Sequence, residues 1–141
     1  MLGGLTITDN TTDSLLERDV VDWDALVYTP PERAYSADAD TTSCKRLAPI
    51  ADLVAELTLD VRYGETMTVN GFAFCGALGF PADPLLEALP DVAGVSLSGT
   101  GPSYVAVADS STLDHVAERW ADRDGTLRRV QTRTDGTQIV P

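Results

Sequence analysis

Residues 94–109, Gly-Val-Ser-Leu-Ser-Gly-Thr-Gly-Pro-Ser-Tyr-Val-Ala-Val-Ala-Asp, constrain the fold more than any other part of the chain. Val95 and Leu97 alternate with Ser96 and Ser98, and Val105 and Val107 alternate with Ala106 and Ala108. That spacing predicts two short strands separated by a Gly-Thr-Gly-Pro break. Gly99 and Gly101 lack a Cβ, so the break can take positive φ and let a ligand approach its backbone N–H groups, with the hydroxyls of Ser98, Thr100 and Ser103 beside them. Two readings stand: a plain hairpin turn made of the commonest turn residues, or a loop that holds an anion. The familiar phosphate motifs do not fit. Gly-x-Gly-x-x-Gly would put its third glycine at Tyr104, and a Gly-Lys-Ser/Thr ending is absent. A Gly-x-Ser-x-Gly elbow would need glycine at Ser98.

Leu97-Ser98-Gly99-Thr100-Gly101-Pro102-Ser103 resembles the third motif of the GHMP kinases, the superfamily of homoserine, mevalonate and related small-molecule kinases. Residues 2–10 (Leu-Gly-Gly-Leu-Thr-Ile-Thr-Asp-Asn), 68–79 (Thr-Val-Asn-Gly-Phe-Ala-Phe-Cys-Gly-Ala-Leu-Gly) and 93–107 narrow the likeness to the carboxy-terminal half of the archaeal-type shikimate kinases. The resemblance runs over nearly the whole chain and weakens after Trp120. It implies ATP-dependent phosphorylation of a shikimate hydroxyl, in the pathway to chorismate and the aromatic amino acids, with ATP and Mg2+ as cofactors. It also implies that ATP or substrate is met by Ser98, Gly99, Thr100, Gly101 and Ser103, with Gly3, Gly4 and Asn70 as further candidates.

The likeness also shows what this chain lacks. Members of the family are about twice this length, within the range of two-domain proteins. Their Pro-x-x-x-Gly-Leu-Gly-Ser-Ser nucleotide loop lies in the first half and has no counterpart here. Their proposed catalytic Asp precedes the Gly-Gly pair by a few residues, which places it upstream of Met1. The resemblance therefore implies a truncated kinase, inactive alone, whose partner is the missing amino-terminal half.

At 141 residues the length fits one domain. With 22 acidic against 10 basic residues and one lysine, Lys45, the surface should be a hydrated carboxylate shell. Halophiles use such self-repulsion, which salt screens. The Asp residues are scattered, unlike an acidic tail. A net charge of −12 argues against nucleic acid, which needs clustered Lys and Arg. Apolar runs fall far short of the ~20 residues a spanning helix needs, and no signal peptide is visible, so the expected setting is a salt-loving cytoplasm. Cys44 and Cys75 are too far apart for a CxxC motif and read as buried thiols; His115, the only histidine, reads as a solvated helix position.

Along the chain, Leu5-Thr6-Ile7-Thr8 reads as a strand closed by a turn at Asp9-Asn10, and residues 13–22 as a connector with a helical turn. Residues 23–29 form a strand stopped by Pro30-Pro31, and 32–40 a loop. Thr41, Thr42 and Ser43 can cap one helix starting near Ser43 or Lys45, with Leu47, Ile50, Val54 and Leu57 on a single face. Residues 63–78 form a second helix capped by Gly79, in which Gly71 permits close packing. Asp83-Pro84 opens a brief helix, Ser110-Ser111-Thr112 caps another through Leu113, Val116 and Trp120, and 126–134 is the last strand.

The expected class is α+β: a ferredoxin-like β-α-β-β-α-β unit over residues 23–141 with extra helices in the first crossover, and residues 1–22 as a remnant of the amino-terminal domain and connector. Arg33, Arg46 and Arg62 are candidates for the substrate carboxylate by charge alone. Other members of the superfamily, of homoserine or mevalonate type, and a non-catalytic ferredoxin-like ligand-binding module are the alternative readings.

Overall fold

The computed structural model describes residues 3–9 and 11–140, so Met1, Leu2 and the Asn10 half of the expected turn lie outside the described residues. Among the described residues six strands and five α-helices follow in order: β1 (Leu5–Asp9), β2 (Ser14–Asp19), β3 (Asp24–Thr29), α1 (Thr41–Lys45), α2 (Ala48–Leu59), α3 (Tyr63–Leu78), α4 (Asp83–Ala88), β4 (Gly94–Leu97), β5 (Tyr104–Ala108), α5 (Ser110–Trp120) and β6 (Thr126–Gln131). β3, β4, β5 and β6 form one antiparallel sheet in the order β4-β5-β3-β6. Numbered within the unit, that is 2-3-1-4, the order of a ferredoxin-like β-α-β-β-α-β arrangement. α1 to α4 fill the first crossover, where two or three helices were expected.

One face of this sheet carries the core. Leu26 and Tyr28 of β3, Val95 and Leu97 of β4, and Tyr104 and Ala106 of β5 pack against Leu85 of α4 and Leu113, Val116 and Trp120 of α5. Leu113, Val116 and Trp120 recur at helical spacing, and all three are fully buried. The Tyr28 ring lies 5.9 Å from both the Tyr104 and the Trp120 rings. Each buried polar tip has a partner: Tyr28 Oη donates to the Asp124 carbonyl, Tyr104 Oη to that of Pro81 and Trp120 Nε1 to that of Pro84.

β4 is an edge strand, and α3 closes its edge. The Val95 amide donates to Thr68 Oγ1 instead of to another strand. The approach is close enough that a Cβ on Gly71 would sit 2.6 Å from Ser96 Cα, and one on Gly64 2.0 Å from the Ala93 carbonyl oxygen. Gly79 ends α3 at φ 74, as its position predicts.

Three expectations need correction. Residues 13–22 hold no helical turn: Ser14–Asp19 is β2, paired antiparallel with β1 in a separate two-stranded sheet. Opposite Ile7 and Thr8 the register skips Leu16, so β2 carries no period-two pattern, and Asp13 makes the turn at φ 52 without a glycine to announce it. The single helix expected from Ser43 or Lys45 is two helices, with α2 restarting so that Pro49, which has no N–H, falls in its first turn. Finally, the caps are carboxylates and not the hydroxyl runs: Asp40 accepts from the Thr42 and Ser43 amides, and Asp109 from the Thr112 amide.

Candidate functional site

The glycine loop closes on itself first. The Ser98 amide donates to the Ser103 carbonyl at 2.8 Å and the Gly101 amide to the Ser98 carbonyl at 3.0 Å, which fixes the bend between β4 and β5. Gly99 stands at φ 58 and Gly101 at φ 81, conformations that suit glycine. Space around Gly99 is open, whereas a Cβ on Gly101 would lie 2.5 Å from the Phe80 ring. Among the described residues no hydrogen bond engages the amides of Gly99 and Thr100, and Ser98 and Gly99 are exposed. The bend is thus reachable by solute, with donors to spare.

Two side chains tie it to the rest of the fold. Ser103 Oγ pairs with Thr29 Oγ1 at the end of β3, and Thr100 Oγ1 with Ser36 Oγ at 2.9 Å. Ser36 belongs to the 3-10 turn Ser36–Asp38, so the segment after β3 folds over toward the loop. Between them lies a cleft of about 280 Å³ lined by Arg33, Tyr35, Asp38, Asp40, Leu78, Phe80 and Thr100, with Ala34 and Ala39. Hydrogen bonds from Ser43 and Thr42 hold the Asp40 carboxyl below the usual carboxylate range, and those bonds occupy its oxygens in the α1 cap. Burial pushes the Tyr104 phenol up to about 12, and behind the loop its hydroxyl donates to the Pro81 carbonyl.

Not every candidate gathers here. The strand register sets Asp24 against Gln131 at one end of β3 and Thr29 against Thr126 at the other. Gly4 N donates to the Arg133 carbonyl, and a Cβ on Gly3 would meet Thr134, so the Gly3-Gly4 pair sits past the Asp24 end. The glycine loop sits at the Thr29 end, a strand length of roughly 16 Å away. Asn70, half-buried in α3, faces a separate recess with Cys44, Leu47, Ile50 and Phe74. Of the three arginines, Arg62 is paired with Glu65 and Arg46 lies near Asp40, while Arg33 lines the cleft. Ser36, Asp38 and Phe80 were not singled out from sequence; Ser36 is 64 residues from Thr100, and no local pattern signals that contact. Cys75 is buried, with its thiol pushed up by burial, Cys44 is only half-buried, and His115 is exposed on α5.

No protein-family model matches the chain. Among curated proteins it is similar to the shikimate kinase of Halobacterium salinarum, 55% identical over 140 residues that cover 99% of this chain and 49% of that protein. The shikimate kinases of Methanosarcina mazei (42% over 140 residues, 99% and 48%) and Methanococcoides burtonii (38% over 139 residues, 98% and 48%) match in the same way. The chain matches half of an archaeal-type shikimate kinase. It spans about half the length of the shikimate kinases to which it is similar, and the alignment takes in its glycine loop. Among solved structures, the homoserine kinase from Cytophaga hutchinsonii superposes with a TM-score of 0.65 at 17% identity, over 98% of this chain and 51% of that one. A putative homoserine kinase from Listeria monocytogenes gives 0.58 at 15%, over 96% and 51%. These likenesses establish the fold, an α+β arrangement shared with about half of each of these homoserine kinases. The shikimate kinases point to a function that the fold alone leaves open.

Proposed function

We propose that the chain is the carboxy-terminal half of a shikimate kinase, working with an amino-terminal half to move the γ-phosphoryl group of ATP to a hydroxyl of shikimate. The observation that carries this reading is 55% identity to a shikimate kinase along 99% of the chain, with a glycine loop that stays accessible. In the transfer, the shikimate hydroxyl oxygen bonds to the γ-phosphorus, the bond from that phosphorus to the bridging oxygen of ADP breaks, and the hydroxyl proton passes to a base. Such a reaction depends on positioning and on stabilising spread negative charge. The unengaged amides of Gly99 and Thr100 and the Thr100 hydroxyl supply donors for phosphoryl or substrate oxygens, Ser98 and Ser103 frame them, and Gly101 lets the bend pass Phe80.

The base, on this reading an aspartate, and the main nucleotide cradle come from the other half. Among the described residues no group of three or more His, Cys, Asp and Glu gathers where a cation could sit. On this reading Mg2+ arrives with the ATP phosphates. Gly3, Gly4 and Asn70 lie away from the loop and belong to the reading only if the other half brings substrate or nucleotide to them. Residues 1–22 go with the amino-terminal domain and 23–141 with the carboxy-terminal one, which agrees with the separate sheet of β1 and β2. The setting we propose is a salt-rich cytoplasm; among the described residues no helix is long and apolar enough to cross a membrane.

The test joins this chain to the half of the Halobacterium salinarum enzyme that it does not match, and assays ATP-dependent phosphorylation in high salt with shikimate, homoserine and mevalonate. Shikimate should be the substrate. Thr100→Ala should lower turnover about tenfold, the scale of one neutral hydrogen bond, and Gly101→Val by about a hundredfold or more, because its side chain would strike the Phe80 ring. Unchanged turnover in both variants would remove the loop from the mechanism, and phosphorylation of homoserine or mevalonate alone would replace the substrate.

A further inference from the structure

We infer that the cleft beside Thr100 receives the acceptor, and that Arg33 sets specificity by binding the acceptor's carboxylate while Asp38 accepts hydrogen bonds from its hydroxyls. This rests on the shikimate reading and names the residues that would make it specific. Size argues first. At about 280 Å³ the cleft lies at the lower limit for small-molecule sites, enough for a compact ring acid and too little for a nucleotide. Its position argues next, since Thr100 forms one wall and a reactant held there touches the loop.

The chemistry of the lining argues most. Of the nine arginines in this acidic chain, Arg62, Arg119, Arg123, Arg129 and Arg133 are held in ion pairs, Arg18 donates to the Thr134 carbonyl, Arg46 lies near Asp40, and Arg128 lies on the exposed strand β6, away from the cleft. Arg33 is exposed and, among the described residues, has neither an ion pair nor a side-chain hydrogen bond. A guanidinium left open in a cleft is a fork for a planar carboxylate. Asp40 is held in the α1 cap, and the nearby Arg46 offsets its charge. Asp38 is different: its side chain makes no hydrogen bond among the described residues, so it can accept from a diol. Leu78 and Phe80 give the apolar wall that the carbon ring of such an acid would lie against. One cation, one free carboxylate and an apolar wall fit a hydroxylated cyclic acid and fit poorly a bare phosphate; the same charges would also suit an amino acid, and the likeness to shikimate kinases is what favours the cyclic acid.

The cleft on the other side of the loop does not compete. It is larger, about 380 Å³, but its lining is chiefly Tyr28, Tyr104, Phe80 and prolines, and its Arg123 is paired with Glu87.

The experiment uses the same two-half enzyme, with the two halves of the Halobacterium salinarum protein as the working standard, and compares shikimate with its methyl ester. The wild type should prefer the acid by about 30-fold in kcat/KM, within the range for one charge-assisted pair. Arg33→Ala should raise KM for shikimate by a similar factor, hold kcat within about threefold, leave KM for ATP unchanged, and erase the preference over the ester. Arg33→Lys should restore part of that preference, which a merely structural arginine would not do. Asp38→Asn should raise KM for the acid and the ester alike. A KM unchanged in Arg33→Ala, or an acid preference that survives it, overturns this assignment while leaving the kinase reading intact. No wild-type turnover of shikimate, with the standard active, overturns both.

Discussion

At the scale of the residue, two glycines on one helix separate intrinsic preference from packing. Gly76 and Gly71 both lie inside α3, where replacing glycine with alanine ordinarily gains up to about 1 kcal/mol. At Gly76 a Cβ would find nothing within 4 Å, so Gly76→Ala should stabilise the chain by about 0.5–1 kcal/mol. At Gly71 the same atom would lie 2.6 Å from the backbone of Ser96 and 3.1 Å from Leu85. Backbone in a paired strand cannot step aside, so overpacking of roughly 1–3 kcal/mol outweighs the helix gain and Gly71→Ala should destabilise. Urea unfolding of both variants checks the pair. Equal shifts of the same sign would mean that α3 is not seated on β4 as described. The packing role of Gly71 was readable from the sequence, because glycine in a helical stripe has few other uses. That Gly76 has none was not readable, since the sequence around it, Cys75 and Ala77, does not say whether a Cβ there would meet another element.

At the scale of the element, helix starts show where the sequence speaks in the right place with the wrong residue. Runs of Ser and Thr mark the beginnings of α1 and α5, yet the carboxylate just before each run makes the cap. Asp109 accepts from the Thr112 amide at 3.0 Å and from the hydroxyls of Ser111 and Thr112, and these bonds hold its carboxyl well below the usual carboxylate range. A carboxyl lowered on folding contributes stability above its unfolded value, near 4, and loses it as pH falls toward the folded value. Asp109→Ala should therefore lower the urea midpoint at pH 7, and its deficit against wild type should narrow as pH drops from about 4 toward 2. A deficit that stays constant over that interval would show that the charged cap is not what holds α5. β2 teaches a related lesson. Its pairing with β1 is real, but the register skips Leu16, and β2 is exposed along nearly its whole length, so it lacks the alternation by which a strand is recognised.

At the scale of the whole molecule, the strand order and the core face were legible, because Leu26, Tyr28, Val95, Leu97, Leu113, Val116 and Trp120 each fall where the period of their own element points inward. The glycine loop was legible too, but the cleft beside it was not. It depends on Ser36 meeting Thr100 across 64 residues, a contact set by the path of the chain after Pro30-Pro31 and by no periodicity. Charge is the other property that belongs to the whole. Five ion pairs are present among the described residues, and added salt weakens them, but mostly exposed pairs are worth about 0–1 kcal/mol each. Against them stands the repulsion of a net −12, spread over one small domain. Salt shortens the screening length from about 10 Å at 0.1 M to about 3 Å at 1 M, so repulsion between carboxylates several ångströms apart falls steeply over that interval. With 22 acidic groups and 10 basic ones, more repulsive than attractive contacts are screened, and the balance favours the folded chain. The melting temperature should thus rise as KCl goes from 0.1 to 1 M and flatten beyond, once the screening length drops below the spacing between charges. Sulfate, which also strengthens apolar burial, should keep raising it past that point. A melting temperature indifferent to KCl, or one that falls, would mean that the acidic surface costs the fold nothing and that the salt-adapted setting is wrong.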